Sequence, residues 1–222
     1  MESPLNVLSP FFLYLCLLLA LFQAPTPCIS DPNPLQDFCI RTSPAGQSAA
    51  TCKAASAVVS DDFFFDGLTK EGNTSNSFGA GLTQATHVQF PGLNTLGIAM
   101  ARIDLAPGGL NPPHTHPRGS ELVMVLKGAV LVGFVSGDNV LYQKVVRRGE
   151  LFIVPKGLVH FQKNTGKGKA IVIVVFDSQF PGIVPAPFAL FGTKPAIDSQ
   201  LLAKAFKVDG EVVTSLLSNF GN

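Results

Sequence analysis

Charge is scarce in this 222-residue chain: Asp, Glu, Lys and Arg make up 14% of it, 16 basic residues stand against 15 acidic ones, and the basic residues nowhere form a run. Such a balance offers little to hold a phosphate backbone, so nucleic acid is not expected as a partner. Heptads and repeats of roughly 20 to 50 residues are missing too, which excludes coiled coils and solenoids. No apolar run reaches the roughly 20 residues that a membrane-spanning helix needs; residues 11–22 (FFLYLCLLLALF) make a run of 12. Cysteine and histidine are rare, at four residues each, so their placement is informative. Against these absences stands a hydrophobic content of 46%, enough for a folded body of one domain, and 21 Gly with 17 Pro that follow no collagen-like period. A turn-rich apolar chain of this kind reads as all-β.

The apolar run at residues 11–22 has the length of a secretory signal's hydrophobic region and is followed by the polar, Pro-broken residues 23–30. Residues 1–30 are therefore read as a signal peptide cut after Ser30, and residues 31–222 as a single domain without a transmembrane segment. Residues 1–10 lack the usual Lys or Arg, and the competing reading is a buried apolar helix. Cleavage would remove Cys16 and Cys28 and leave an even pair, Cys39 and Cys52. An oxidising compartment would join them; a reducing one would leave two thiols. Asn73-Thr74-Ser75 is a glycosylation sequon in a Gly/Asn/Ser-rich stretch, residues 71–81, that is expected to be exposed.

From His87 onward, short β-prone runs alternate with turn signals: residues 96–105, 121–126, 129–135, 140–146, 151–154, 159–162 and 170–176. Polar, Gly-containing loops at 136–139 and 164–168, with Pro-Gly corners at 107–109 and 155–157, separate them. Strands at this spacing imply a sandwich, barrel or jelly roll, with its core at about residues 87–180. Beyond it the period changes. Asp198 can cap a segment with Leu201, Leu202, Ala205 and Phe206 at helical spacing, and Gly210 separates it from a second with Val212, Val213, Leu216, Leu217 and Phe220. Two short amphipathic helices at about 198–220 would have to bury their apolar stripes on the barrel or on a neighbouring subunit.

Three of the four histidines fall in two patches. In the first, Gly108 is followed by five residues, His114-Thr115-His116, four residues, Glu121, six residues and Gly128. In the second, Gly149 is followed by five residues, Pro155-Lys156-Gly157, two residues, His160, three residues and Asn164. Residues i and i+2 of an extended chain share a face, so His114 and His116 can aim two imidazoles at one point. Glu121 places a carboxylate beside them after a turn, and His160 supplies a third imidazole from a later strand. A lone His-x-His is more often a surface strand than a metal site, but both patches together are a specific signal. Three histidines and one glutamate form an N/O donor set suited to Mn, Fe, Zn, Ni or Cu, and an octahedral ion on four such donors keeps two positions open. Open positions point to chemistry.

The two patches resemble the paired motifs of the cupins, and beyond them the chain resembles plant germin-like proteins over nearly all of residues 31–222. The stretches that carry this likeness are 31–39 (DPNPLQDFC), 68–74 (LTKEGNT), 90–97 (FPGLNTLG), 111–118 (NPPHTHPR), 157–162 (GLVHFQ) and 181–184 (PGIV). The resemblance implies a cupin β-barrel or jelly roll with short C-terminal α-helices, manganese held by His114, His116, Glu121 and His160, and a Cys39–Cys52 disulfide. It also implies a glycan on Asn73, secretion to the apoplast and cell wall, and a homohexamer built as a trimer of dimers.

Activity divides that family. Germins that oxidise oxalate resemble this chain at Asn111, an amide that can hold a substrate carboxylate, but carry a second Asn where this chain has Ala101. Losing one hydrogen bond to a charged group costs about 1.5 to 3 kcal/mol, so oxalate is a doubtful substrate. Superoxide needs no such clamp. The resemblance therefore favours a small-molecule reaction of the superoxide dismutase type yielding hydrogen peroxide, with a role in plant defence and stress. The alternatives are oxalate oxidation and a non-enzymatic cell-wall or receptor-like binding protein. Elsewhere, His87 is read as a surface or structurally satisfied histidine, Asn164 as a turn former, Arg118 and Lys156 as charges near the barrel mouth, and Met100, Met124 and Phe152 as core filling.

Overall fold

Residues of alternating burial decide the architecture. In Ala170–Phe176 every second side chain is buried and the others are half-buried, while Glu121–Lys127 buries Glu121, Val123 and Val125. Val, Ile and Phe fit such a pleated surface, and two of these surfaces facing each other enclose a core. The computed structural model describes residues 36–43 and 51–221, and the expected signal segment lies outside the described residues.

Among the described residues, ten strands form two five-stranded sheets: β1 Ala80–Ala85, β2 Ala99–Leu105, β3 Leu110–Thr115, β4 Glu121–Lys127, β5 Ala129–Val135, β6 Leu141–Arg147, β7 Leu151–Val154, β8 His160–Asn164, β9 Ala170–Phe176 and β10 Val184–Pro185. One sheet has the order β1-β2-β9-β4-β7 and the other β10-β3-β8-β5-β6, with every pairing antiparallel. Between them lies a core of Ala99, Ala101, Ile103, Leu105, Val123, Val125, Val130, Val132, Val172 and Val174. This is the expected all-β jelly roll, and its sheets reach beyond residues 87–180 at both ends. Two motif glycines explain themselves here: Gly128 (φ +88°) and Gly149 (φ +82°) turn the chain into β5 and β7 in a left-handed conformation that other residues avoid.

Seven of the strands coincide with the β-prone runs read from the sequence. Strands β1, β3 and β10 do not, because their side chains are poor strand formers. β1 reads AGLTQA, and β3 contains Pro112-Pro113. Those prolines lack N–H donors, and the register of β3 against β8 shifts between Asn111 and His114 where they lie. Met100, read as core filling, instead sits on the outer side of β2 and is 37% exposed, because its neighbours Ala99 and Ala101 take the inward positions.

Outside the barrel, a Cys39–Cys52 disulfide ties the N-terminal segment together, and Asn94 Nδ2 donates to the Cys39 carbonyl. Arg102 and Asp104 on β2 pair at 2.8 Å; Arg102 donates to the carbonyls of Leu68 and Thr69, and Asp104 accepts from the Gly72 amide. That network staples residues 68–72 to the barrel. Three helices follow β10: α1 Ala186–Phe191, α2 Ser199–Phe206 and α3 Gly210–Phe220. Asp198 caps α2 by accepting from the Leu201 amide at 2.8 Å, as the sequence indicates. The helices pack on one another through Phe191, Leu202 and Val213, leaving Leu201, Phe206 and Val212 exposed.

Candidate metal centre

Strand order brings the two histidine patches together. β3 and β8 are neighbours, and their register sets His114 directly opposite His160 with both side chains on the inner face. His116 follows two residues after His114 on the same side, and Glu121 enters from the first residue of β4 in the facing sheet. All four side chains are buried, and their donor atoms lie within 4.8 Å of one another. The residues expected as ligands are thus assembled into one cluster.

The imidazoles are oriented by backbone carbonyls. His114 Nδ1 lies 2.8 Å from the Pro112 oxygen and His160 Nδ1 lies 2.9 Å from the Leu158 oxygen; His116 Nδ1 meets the Gly182 oxygen. A carbonyl only accepts, so these contacts assign the proton to Nδ1 and leave each Nε2 with a lone pair. The Nε2 atoms of His116 and His160 then face Glu121 Oε2 at 2.9 and 3.0 Å. Lone pairs and a carboxylate at that distance repel unless a cation or a proton lies among them. The donor chemistry therefore fits a metal ion, with the tautomers already chosen for ligation.

Electrostatics agree. Burial, with His160 close by, pushes the His114 imidazole down to about 3, so it is neutral and free to donate its lone pair at neutral pH. Burial alone would raise the Glu121 carboxyl, but the close contacts with the His116 and His160 rings outweigh it and hold the group down to about 2. Glu121 is a carboxylate whenever the protein is folded near neutrality.

His114, His116 and Glu121 line a cavity of about 330 Å³, whose walls include Gln84, Ala101, Ile103, Asn111, Arg118 and Val174. Asn111 donates to Gln162 Oε1 at 2.7 Å, and Gln162 Nε2 donates to Glu121 Oε1 at 2.9 Å. Gln162 is fully buried and is a functional residue that the motif reading missed. Its position two residues after His160, on the same strand face, is the signal that could have found it. Arg118 does stand at this cavity: its Nε donates to the Phe180 carbonyl at 2.7 Å, and its guanidinium lies 4.8 Å from the centre of the Phe180 ring. Lys156 is exposed and is not among the lining residues.

The remaining sequence candidates sit elsewhere. His87 is buried against Phe180, with Nδ1 at 3.2 Å from the Gln179 oxygen, the satisfied structural histidine anticipated for it. Asn164 is buried and donates to the carbonyls of Leu105, Ala106 and Gly168 while accepting from Gly166, so it holds a turn and a barrel corner together. Asn73 is exposed, its Oδ1 accepting from the Ser75 amide.

Comparison with known proteins decides the family. The cupin family matches residues 66–214. Germin-like protein 3-7 of Oryza sativa subsp. japonica is 53% identical over 199 residues, which cover 87% of this chain and 85% of its own. The chain belongs to the germin-like proteins of the cupin family. A second relative of this germin-like chain, germin-like protein 3-8 of the same organism, is 50% identical and spans 99% of this chain and 98% of its own. Among solved structures, a recombinant oxalate oxidase in complex with glycolate is 47% identical, with a TM-score of 0.82 over 86% of this chain and 98% of that one. No helix among the described residues is long and apolar enough to cross a membrane.

Proposed function

We propose that this germin-like protein is secreted to the apoplast and cell wall, binds manganese through His114, His116, Glu121 and His160, and dismutates superoxide there in plant defence and stress. The observation that carries the reading is the convergence of imidazole lone pairs on the Glu121 carboxylate beside an open cavity. A bound manganese ion would supply the electron, passing between its +2 and +3 states as one superoxide is reduced and the next oxidised. The chain's own part is to keep the His114 imidazole neutral, to aim all three imidazoles through their backbone carbonyl partners, to place the positive Arg118 guanidinium at the cavity where it attracts small anions, and to leave space for water. Glu121, held ionised, has no proton to give, so the protons that dismutation consumes would have to come from solvent in the cavity.

Oxalate oxidation is the second reading. The oxalate oxidase likeness favours it, and Asn111 lines the cavity as a substrate-binding amide. Against it, Ala101 is 3% exposed at the cavity wall and brings only a methyl group. A binding protein whose metal merely stabilises the barrel is the third. Secretion is supported by the apolar run at residues 11–22 and by the Cys39–Cys52 bridge, and a glycan is assigned to the exposed Asn73. A homohexamer, a trimer of dimers, is supported by exposed apolar side chains on the outside of one sheet, Leu122 (37%), Leu126 (41%), Leu151 (57%) and Ile153 (56%), and by the uncovered faces of α2 and α3.

The test is a dismutation assay on manganese-loaded protein and on His160→Ala, with oxalate turnover measured on the same samples and on Ala101→Asn. The reading expects dismutation that disappears with His160 and no oxalate turnover by the wild-type chain. Equal dismutation by metal-free protein refutes it, and oxalate turnover that rises in Ala101→Asn moves the assignment to the second reading.

A further inference from the structure

Register places a second amide at the cavity wall. Gln84 on β1 is the direct cross-strand partner of Ala101 on β2, so the two side chains share the inner face, and both line the cavity that holds the ligand cluster. Gln84 is half-buried, and its side chain makes no hydrogen bond to another described residue. Its neighbours on that face, Leu82, Ile103 and Val174, are apolar. Open to the cavity and tied to no other side chain, that amide is placed to bind a ligand there.

Geometry and charge narrow the ligand. Ala101 is only a methyl group, and the row that Gln84 starts continues through Ala101 and Val174 to Val123, so it offers no other polar side chain, and Glu121 stands one inward position away from Val123 on β4. β1 is the outermost strand of its sheet, one strand beyond β2 and three from the β4 that carries Glu121. Neighbouring strands lie about 5 Å apart, so an amide on β1 meets a ligand farther from the cluster than one on β2 would. A divalent ion balanced by the Glu121 carboxylate keeps one positive charge and Arg118 adds another, so a dianion neutralises the cavity.

We propose that Gln84 is the specificity-determining residue of this cavity, its amide holding the far carboxylate of a three- or four-carbon dicarboxylate whose near end meets the His114, His116, Glu121 and His160 cluster. The proposal rests on reading that cluster as a metal site. Oxalate, which has no methylene between its carboxyl groups, is too short to reach both ends, whereas malonate and succinate have the added length.

Calorimetric titration of manganese-loaded protein with oxalate, malonate and succinate, with metal content measured on every sample, tests this. The wild-type chain should bind malonate or succinate more tightly than oxalate. Gln84→Leu, close in volume, should weaken the preferred acid at least about tenfold, the factor for one lost hydrogen bond to a charged group, and shift oxalate far less. Gln84→Glu should weaken the longer acid further by repulsion, which keeps the test decisive if one variant folds poorly. A tightest wild-type affinity for oxalate, or undiminished binding of the longer acid by both variants, overturns the role of Gln84. Protein that takes up no metal overturns the site reading and the proposal with it, so the two failures are told apart by the metal content.

Discussion

Replacing Gln162 by Leu isolates the hydrogen bond that positions Glu121. The two side chains are close in volume, so the substitution removes the amide without opening a large cavity. Gln162 Nε2 donates to Glu121 Oε1 at 2.9 Å, and both residues are at most 1% exposed. In the variant the buried carboxylate oxygen keeps no donor, and such an orphaned group costs about 1 to 3 kcal/mol, more when charged. Asn111 also loses its partner, but it is half-buried and can turn to water, so it adds little. Taking about 2 kcal/mol and a shift of roughly 2 to 4 °C per kcal/mol for a chain of this size, the metal-free melting temperature should fall by about 4 to 8 °C. Metal affinity should fall about 10- to 100-fold, the effect typical of losing a partner that orients a ligand. Thermal melts of metal-free protein and competition with a calibrated chelator measure the two quantities. A variant that melts and binds manganese like the wild type refutes the claim that Gln162 holds Glu121 in place.

Two further outcomes follow from the same structure. The His114 imidazole is held at about 3 against an ordinary value of 6.5, so the unfolded chain takes up a proton as pH falls through 6.5 that the folded chain refuses until about 3. Glu121, held at about 2 against 4.5, contributes stability above pH 4.5 that is lost as pH falls towards 2. Both effects have the same sign, so the urea midpoint of metal-free protein should be lower at pH 5 than at pH 7; equal midpoints would contradict the burial argument. Replacing Cys39 and Cys52 together by Ser should destabilise by about 3 kcal/mol, as expected for closing a loop of roughly 15 residues, because the bridge spans a sequence separation of 13. Denaturant melts check this, and an unchanged midpoint would remove the bridge from the account.

The four ligand candidates were legible because motif spacing encodes geometry directly: i and i+2 of one extended segment, at the end of β3 and just past it, for His114 and His116, and first positions of β4 and β8 for Glu121 and His160. The central strands were legible for a similar reason, since β4, β5 and β9 are rich in Val, Leu and Ile with alternating burial. What escaped depends on contacts distant in sequence. Gly182 caps His116 from 66 residues away, and Gln162 reaches Glu121 across 41, and neither partner carries a local pattern. Strand β1 was hidden by Ala and Gly, and with it the pairing of Gln84 with Ala101, which only sheet register can show. The carbonyls of Pro112 and Leu158 that orient His114 and His160 are invisible to residue type altogether, because any residue could supply them.

The central claim is that the cluster holds a redox-active ion. Its most direct test is the metal content of protein purified from its native secretory source, measured by mass spectrometry, with superoxide dismutation recorded on the same preparation. The account predicts about one manganese per chain and a rate that tracks manganese occupancy. A preparation that carries zinc or no metal, and shows no dismutation, would contradict it.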